Sequence, residues 1–249
     1  GECDLSIVTS VLDEIYAACC NPLEQNELEY ATKKSVVIRS TVPPRSTAAF
    51  NNSYRARLNV IFNPEFLTEV NAVDDFKKQD RIVLGYDAEY YDTFITGNKR
   101  PDDLIYSIYE YAFPNAEIIS LHSTSAEMVK YATNVFLATK VSLANEFWQI
   151  CQAMNIDYDE MINTAKFDKR LGNSHWMVPG PPQVHDERRL FSWGGHCLPK
   201  DVNSLRYLAQ QLGIKPTMMM AAWDKCLEMR PNPEDRDWEF MAGRAVSDE

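Results

Sequence analysis

Hydrophobic positions along the chain follow two rhythms. Between Asp4 and Cys20 they recur at helical spacing, with Ile7, Val11, Leu12, Ile15 and Ala18 on one face. Short β-branched runs follow at SVVIRS (35–40), LNVIFN (58–63), RIVLGY (81–86) and AEIISL (116–121). The Pro43-Pro44 pair ends the first of them, and helix-like stretches over 88–96 and 101–112 separate the last two. Short apolar strands alternating with helical segments predict a parallel sheet covered by helices. From His122 onward the period is helical throughout. Thr124-x-x-Glu127 has the spacing of a capping box and opens a helix that runs to about Met154. At 1.5 Å per residue it would be roughly 45 Å long. Val129, Val135, Phe136, Val141, Leu143, Phe147 and Trp148 give it more than one apolar face, so burial by more than its own domain is expected. Further helices fit 157–166, 201–212 and 216–229, and 179–192 reads as an irregular loop. The fold class is α/β in a first domain, 1–122, followed by an all-helical domain with one long helix, 123–249.

Composition narrows the function. The chain has 249 residues, 45% of them apolar and 11% aromatic, and a formal net charge of −11. That charge argues against nucleic acid as a partner, since a phosphate backbone needs clustered Lys and Arg. A small anionic ligand remains open, because a local basic pocket can sit inside an acidic shell. No apolar run is long enough to span a membrane, and the opening GECDLSIVTS lacks the basic region of a secretory signal. The nine glycines form neither G-x-G-x-x-G nor G-x-x-x-x-G-K-[ST], so neither standard phosphate-cradling loop is present. Six cysteines without a C-x-x-C read as reduced thiols in a cytoplasmic protein. His185 with His196 and Cys197 could just assemble a metal site, but with the histidines scattered no metal is expected.

Four segments carry candidate chemistry. In Gly194-Gly195-His196-Cys197-Leu198-Pro199-Lys200-Asp201, the two glycines allow close backbone approach to a ligand. Cys197 stands just ahead of a helix expected to begin near Pro199 or Lys200. The positive end of that helix and the Lys200 charge would both favour a thiolate, which is what a nucleophile needs. Asn63-Pro64-Glu65-Phe66-Leu67-Thr68-Glu69 follows a predicted strand, at the end where α/β proteins bind ligands. Glu65 and Glu69, on one helical turn, would crowd two like charges and favour acid/base work; a solvated helix start fits the same spacing. Glu127, Lys130 and Asn134 form a polar stripe on the long helix, readable also as plain surface. Ser40-Thr41-Val42-Pro43-Pro44 places a hydroxyl at another strand end, to bond a ligand or to cap a turn. A thiol hydrolase pairing Cys197 with His185 or His175 is a weaker reading, because nothing is placed to orient the His.

Taken together, STVPP (40–44), NPEFLTE (63–69), AEMVKYATN (126–134), DKRLGN (168–173) and GGHCLPKD (194–201) resemble the UDP-glucose/GDP-mannose (nucleotide-sugar) 6-dehydrogenase family. They arrive in family order, and the ending RDWEFMAGRAVSD is similar to that of short, phage-type members. The resemblance implies a partial Rossmann-like sheet and NAD-dependent oxidation of the sugar C6 alcohol to a carboxylate through a Cys thioester, with UDP-glucose favoured. Cys197 would be the nucleophile and Glu65 the base for thioester hydrolysis. Lys130 and Asn134 would stabilise the oxyanion, Asp201 would hold water or the Lys, and Thr41 would stand beside the reacting water. Glu69, Phe66, Leu67, Arg170, Gly194, Gly195 and Lys200 would contact substrate, with Thr41, Glu69 and Lys200 also near the cofactor. Arg170 would reach a neighbouring subunit's sugar, which implies a homodimer built on the long helix. Two departures stand out: the family's opening G-x-G-x-x-G unit and third domain have no counterpart, and Ser192-Trp193 replaces the usual Gly-Phe. A non-catalytic dimerisation or scaffold fragment of the same family is therefore the alternative.

Overall fold

In a computed structural model the described residues are 2–20, 33–68, 71–88, 91, 104–182, 187–236 and 238. The chain divides into two compact units, Asp4–Lys130 and Tyr131–Glu249, the latter with Gly1–Cys3.

The first unit begins with α1 (Ser6–Cys19), whose Leu12 is fully buried. Four strands follow: β1 (Lys34–Ile38), β2 (Leu58–Phe62), β3 (Arg81–Tyr86) and β4 (Glu117–His122). They lie in one sheet in the order β1-β2-β3-β4. β1 and β2 run parallel, Lys34 opposite Leu58 through Ile38 opposite Phe62, and so do β3 and β4, Arg81 opposite Glu117 through Tyr86 opposite His122. β2 meets β3 antiparallel, with Phe62 opposite Gly85. The sheet is therefore mixed rather than wholly parallel, because a buried apolar run records burial but not strand direction. Asn63 reinforces this join: its Nδ2 donates to the Val83 carbonyl at 2.8 Å, and its Oδ1 accepts from the Tyr109 hydroxyl at 2.6 Å.

Two helices absent from the periodicity reading, α2 (Ser46–Tyr54) and α3 (Ala72–Lys77), sit between these strands. α2 is weakly apolar in sequence, yet its Asn51 is buried and exchanges both side-chain bonds with the Val60 backbone at 2.8 Å. Of the helix expected at 101–112, α4 is described as Leu104–Ala112; the stretch 88–96 lies almost wholly outside the described residues. Val42, Leu58, Val60, Phe62, Val83 and Ala126 form one apolar cluster, and Ile61, Ile82, Leu84 and Tyr86 another.

The long helix α5 (Ser123–Met154) begins in this unit. Gly85 makes room for it: a Cβ there would lie 2.7 Å from the Ala126 Cβ and 2.9 Å from the Ser123 Cα. Gly85→Ala should therefore push the helix start off the sheet and destabilise the chain by roughly 2 kcal/mol, as overpacking of a core does. A urea midpoint equal to that of the parent chain would show that the approach is looser.

The second unit holds the rest of α5, then α6 (Tyr158–Ala165), a 3-10 turn (Lys169–Leu171), α7 (Cys197–Gln211), α8 (Thr217–Met229) and a second 3-10 turn (Pro233–Asp235). Its core has two apolar clusters, one around Trp193, Val202, Cys226 and Trp238 and the other around Cys151, Tyr158, Ile162 and Trp176. No helix among the described residues is long and apolar enough to cross a membrane.

Candidate active site

In the first unit, the turn of α5 that ends at Lys130 organises the strand ends. Lys130 is 3% exposed, and its Nζ donates to the Glu65 carbonyl at 2.5 Å and pairs with Glu65 Oε1 at 3.1 Å. Glu65 Oε2 accepts from the Leu67 amide at 2.8 Å. The Phe66 ring lies between two cations, 5.6 Å from Lys130 Nζ and 4.7 Å from the Arg81 guanidinium carbon. Glu65, Phe66, Leu67 and Lys130 are thus one cluster. Residues 63–68 form no helix, so the expected helical pairing of Glu65 with Glu69 is not what shapes Glu65; its partner is a cation. Glu69 lies outside the described residues.

Glu127 corrects a second expectation. Its carboxylate does not close a capping box with Thr124; instead Oε2 accepts from the Arg45 amide at 2.6 Å and Oε1 from the Thr47 amide at 2.7 Å. The box spacing is a local signal, whereas these partners lie 82 and 80 residues away. Burial pushes the Glu127 carboxyl above its ordinary value, while the Thr47 hydroxyl and amide and the Arg45 amide pull it back. Thr41 is half-buried on the loop between β1 and this clamp.

In the second unit, α7 starts at Cys197 itself, with His196 as its N-cap. The thiol is therefore in the first turn rather than ahead of it, at the positive end of the helix dipole. It is reduced and exposed. Asp201, one turn on, is fully buried and takes two donors: the Asn134 amide at 2.5 Å and the Lys200 ammonium. Charge-assisted bonds of this kind are short and directional, and they fix the Asn134 and Lys200 side chains against α7. Tyr131 and Ser204 bond across the same pair of helices at 3.0 Å.

The backbone leading to Cys197 is anchored on four sides. Arg230 Nε donates to the Phe191 carbonyl at 2.6 Å, and the Ser192 amide donates to Asn145 Oδ1 at 3.0 Å. Trp193 Nε1 donates to Ser142 Oγ at 2.8 Å, and its carbonyl accepts from the Cys226 thiol at 3.2 Å. Arg230, Asn145, Ser142 and Cys226 carry no motif, and sequence reading missed them. Trp193 is a core residue packed on Trp223 and Trp238. Gly195 has a φ of 73°, which glycine adopts without strain. Ser192 is also left-handed, with a φ of 58°, and its buried hydroxyl has no partner among the described residues. Glycine there removes both the Cβ strain and the orphaned hydroxyl, against a smaller entropic gain of the unfolded chain. Ser192→Gly should therefore stabilise the chain by about 1 kcal/mol. A lowered thermal midpoint would contradict this.

Arg170 stands apart, on the exposed 3-10 turn, held by Asp168 through Nε at 2.9 and 3.0 Å. Lys140 Nζ, buried on α5, supports that turn through the Leu171 carbonyl at 2.8 Å and lies 4.6 Å from the Trp176 ring centre. His185 is outside the described residues. Among the described residues no group of three His, Cys, Asp or Glu is placed to hold a metal ion.

The dinucleotide fit is partial. The loops after β1 and β2, with Thr41, Glu65 and Lys130, carry polar groups suited to the reacting end of such a ligand. A pyrophosphate needs helix N-terminal amides open to it. At α2 those of Arg45 and Thr47 are already taken by Glu127. The described residues thus suit the reacting end and provide no pyrophosphate cradle there.

A Rossmann-like α/β unit bearing ligand-type loops at its strand ends, followed by a helical unit that presents a thiol at a helix start, defines the class. The chain belongs to the UDP-glucose/GDP-mannose dehydrogenase family. The family's NAD binding domain matches residues 1–98 and its central domain residues 124–225. The UDP-glucose 6-dehydrogenase of Rickettsia bellii is 34% identical over 225 residues, covering 89% of this chain and 44% of that protein. That of Haloferax volcanii is 34% identical over 197 residues, covering 78% and 41%. The solved UDP-glucose dehydrogenase of Pyrobaculum islandicum superposes with a TM-score of 0.70 at 27% identity, covering 92% of this chain and 48% of that one. The GDP-mannose dehydrogenase of Pseudomonas aeruginosa gives 0.54 at 27%, covering 91% and 47%. The chain thus spans less than half the length of these relatives.

Proposed function

We propose that this chain carries the oxidative chemistry of a nucleotide-sugar 6-dehydrogenase, acting on UDP-glucose in the cytoplasm with NAD as hydride acceptor. The observation that carries this reading is Cys197: an exposed thiol opening α7, one turn before a buried carboxylate that Lys200 and Asn134 hold. The UDP-glucose assignment is supported by the two 34% identical relatives, both UDP-glucose 6-dehydrogenases.

Under this reading two NAD molecules, bound in turn, would each take one hydride, the first as the C6 alcohol becomes an aldehyde and the second as the Cys197 adduct becomes a thioester. The chain's own residues do the rest. The Cys197 sulfur forms a bond to the aldehyde carbon while the carbonyl electron pair moves onto oxygen. Lys130 Nζ and the Asn134 amide are donors for that oxyanion. At the thioester stage Glu65 takes a proton from water as the water oxygen bonds the carbonyl carbon. The C–S bond then breaks, with its electron pair returning to sulfur. Asp201 keeps Asn134 and Lys200 oriented. Thr41 contacts the water, and Glu69, Phe66, Leu67, Gly194 and Gly195 border the substrate.

A homodimer through α5 belongs to the same proposal. Phe136, Leu143, Phe147, Ile150 and Met154 are exposed at heptad-like spacing along that helix, so its apolar faces are not all covered within the chain. Arg170 would then serve a second copy's sugar.

Calorimetric titration of the purified chain with NAD and with UDP-glucose, together with sedimentation mass and NADH production, tests this. Binding of both with uronic acid formed supports the dehydrogenase. A folded dimer that binds neither supports the scaffold reading.

A further inference from the structure

We propose that Glu127 is the positioning residue for the Thr41 loop, acting through the backbone amides of Arg45 and Thr47; the inference rests on the dehydrogenase reading above. Glu127 is fully buried, and both carboxylate oxygens are used, at 2.6 and 2.7 Å, on amides at the start of α2. Those amides belong to a helix's first turn, where no intrahelical partner exists and a negative charge is favoured. Arg45 sits at a φ of 84°, a left-handed conformation that a non-glycine residue keeps only where its surroundings fix it. The clamp thereby sets how the chain turns after Pro43-Pro44, and Thr41 lies four residues before it.

The same turn of α5 also bears Lys130, three residues on, which holds the Glu65 carbonyl and carboxylate. Gly85 lets this turn approach the sheet closely. One helical turn therefore fixes the loops at the carboxyl ends of both β1 and β2, neighbours in the parallel half of the sheet. For stability alone, a buried carboxylate is a poor choice beside apolar packing. What it adds is direction, since it must meet two donors at set positions.

Glu127→Gln keeps the size but turns an amide NH2 towards one of the two backbone donors. In the full chain, turnover of UDP-glucose should fall about tenfold or more in kcat with KM changed by less than about twofold. Thr41→Ala should also lower kcat, and the double variant should be no slower than the slower single, because both act through one loop. Fold-losses that multiply, or a kcat for Glu127→Gln within about twofold of the parent, would overturn the proposal. Amide hydrogen exchange gives a readout independent of activity. Arg45 and Thr47 should lose protection in Glu127→Gln while Val60 and Ile61 keep theirs. A parent chain that binds but does not turn over removes the dehydrogenase reading alone. Unchanged protection at Arg45 and Thr47 removes the positioning role whatever the activity. If Glu127→Gln does not fold, Glu127→Asp, one methylene shorter, should release one of the two amides, and protection kept at both would equally overturn it.

Discussion

Cys197→Ser is expected to abolish uronic acid formation, lowering kcat by a factor on the order of a thousand or more. A hydroxyl in place of the thiol has nearly the same shape but forms its anion far less readily. Because Cys197 is exposed, the substitution removes no core contact, and the thermal midpoint should move by little. Product analysis separates the steps: the serine variant should halt at the aldehyde or before it, with at most one hydride passed on per sugar. Uronic acid produced at the parent rate would sink the covalent mechanism, and with it the reading of α7 as the nucleophile's helix.

Lys130→Ala carries the second large effect, on the order of 2–4 kcal/mol of barrier, or about 30- to 1,000-fold in kcat. Lys130 is 3% exposed and sits between the Glu65 carboxylate and the Phe66 ring, so its charge is little screened. The same substitution leaves Glu65, among the described residues, with the Leu67 amide alone, and some loss of stability accompanies it. Lys130→Met keeps the aliphatic stem and separates the two contributions. If Lys130→Met turns over within about twofold of the parent, less than roughly 0.5 kcal/mol, the ion pair only braces the loop.

Much of this molecule can be read before it is folded. RIVLGY fills β3 from end to end, and the long helix runs from Ser123 to Met154 much as its periodicity predicts. The motif around Cys197 and the stripe through Lys130 and Asn134 both name residues that the structure gives buried, specific partners. The departure at Ser192 is legible as serine where glycine is usual, and the structure shows it left-handed, with a buried hydroxyl that has no partner among the described residues. These features are local: they depend on spacing within a few turns of helix or within one strand, or on residue types that few backbone positions tolerate.

What the sequence does not contain is the set of pairings made across long separations. Glu65 reads as half of an acidic pair and is instead bound to Lys130, 65 residues away. Glu127 reads as a helix cap and serves a different helix altogether. The direction of β3 against β2 leaves no trace in a fully buried run of apolar residues. The anchors of the loop before Cys197 come from α5 and from the end of α8, in residues that no motif marks. By itself the sequence determined most of the elements and the family, and it named the candidate reactive groups, because periodicity and motif spacing are local properties. Only the tertiary structure decided which buried charge faces which donor, because a desolvated group takes whatever partner the packing of distant segments brings within hydrogen-bond reach.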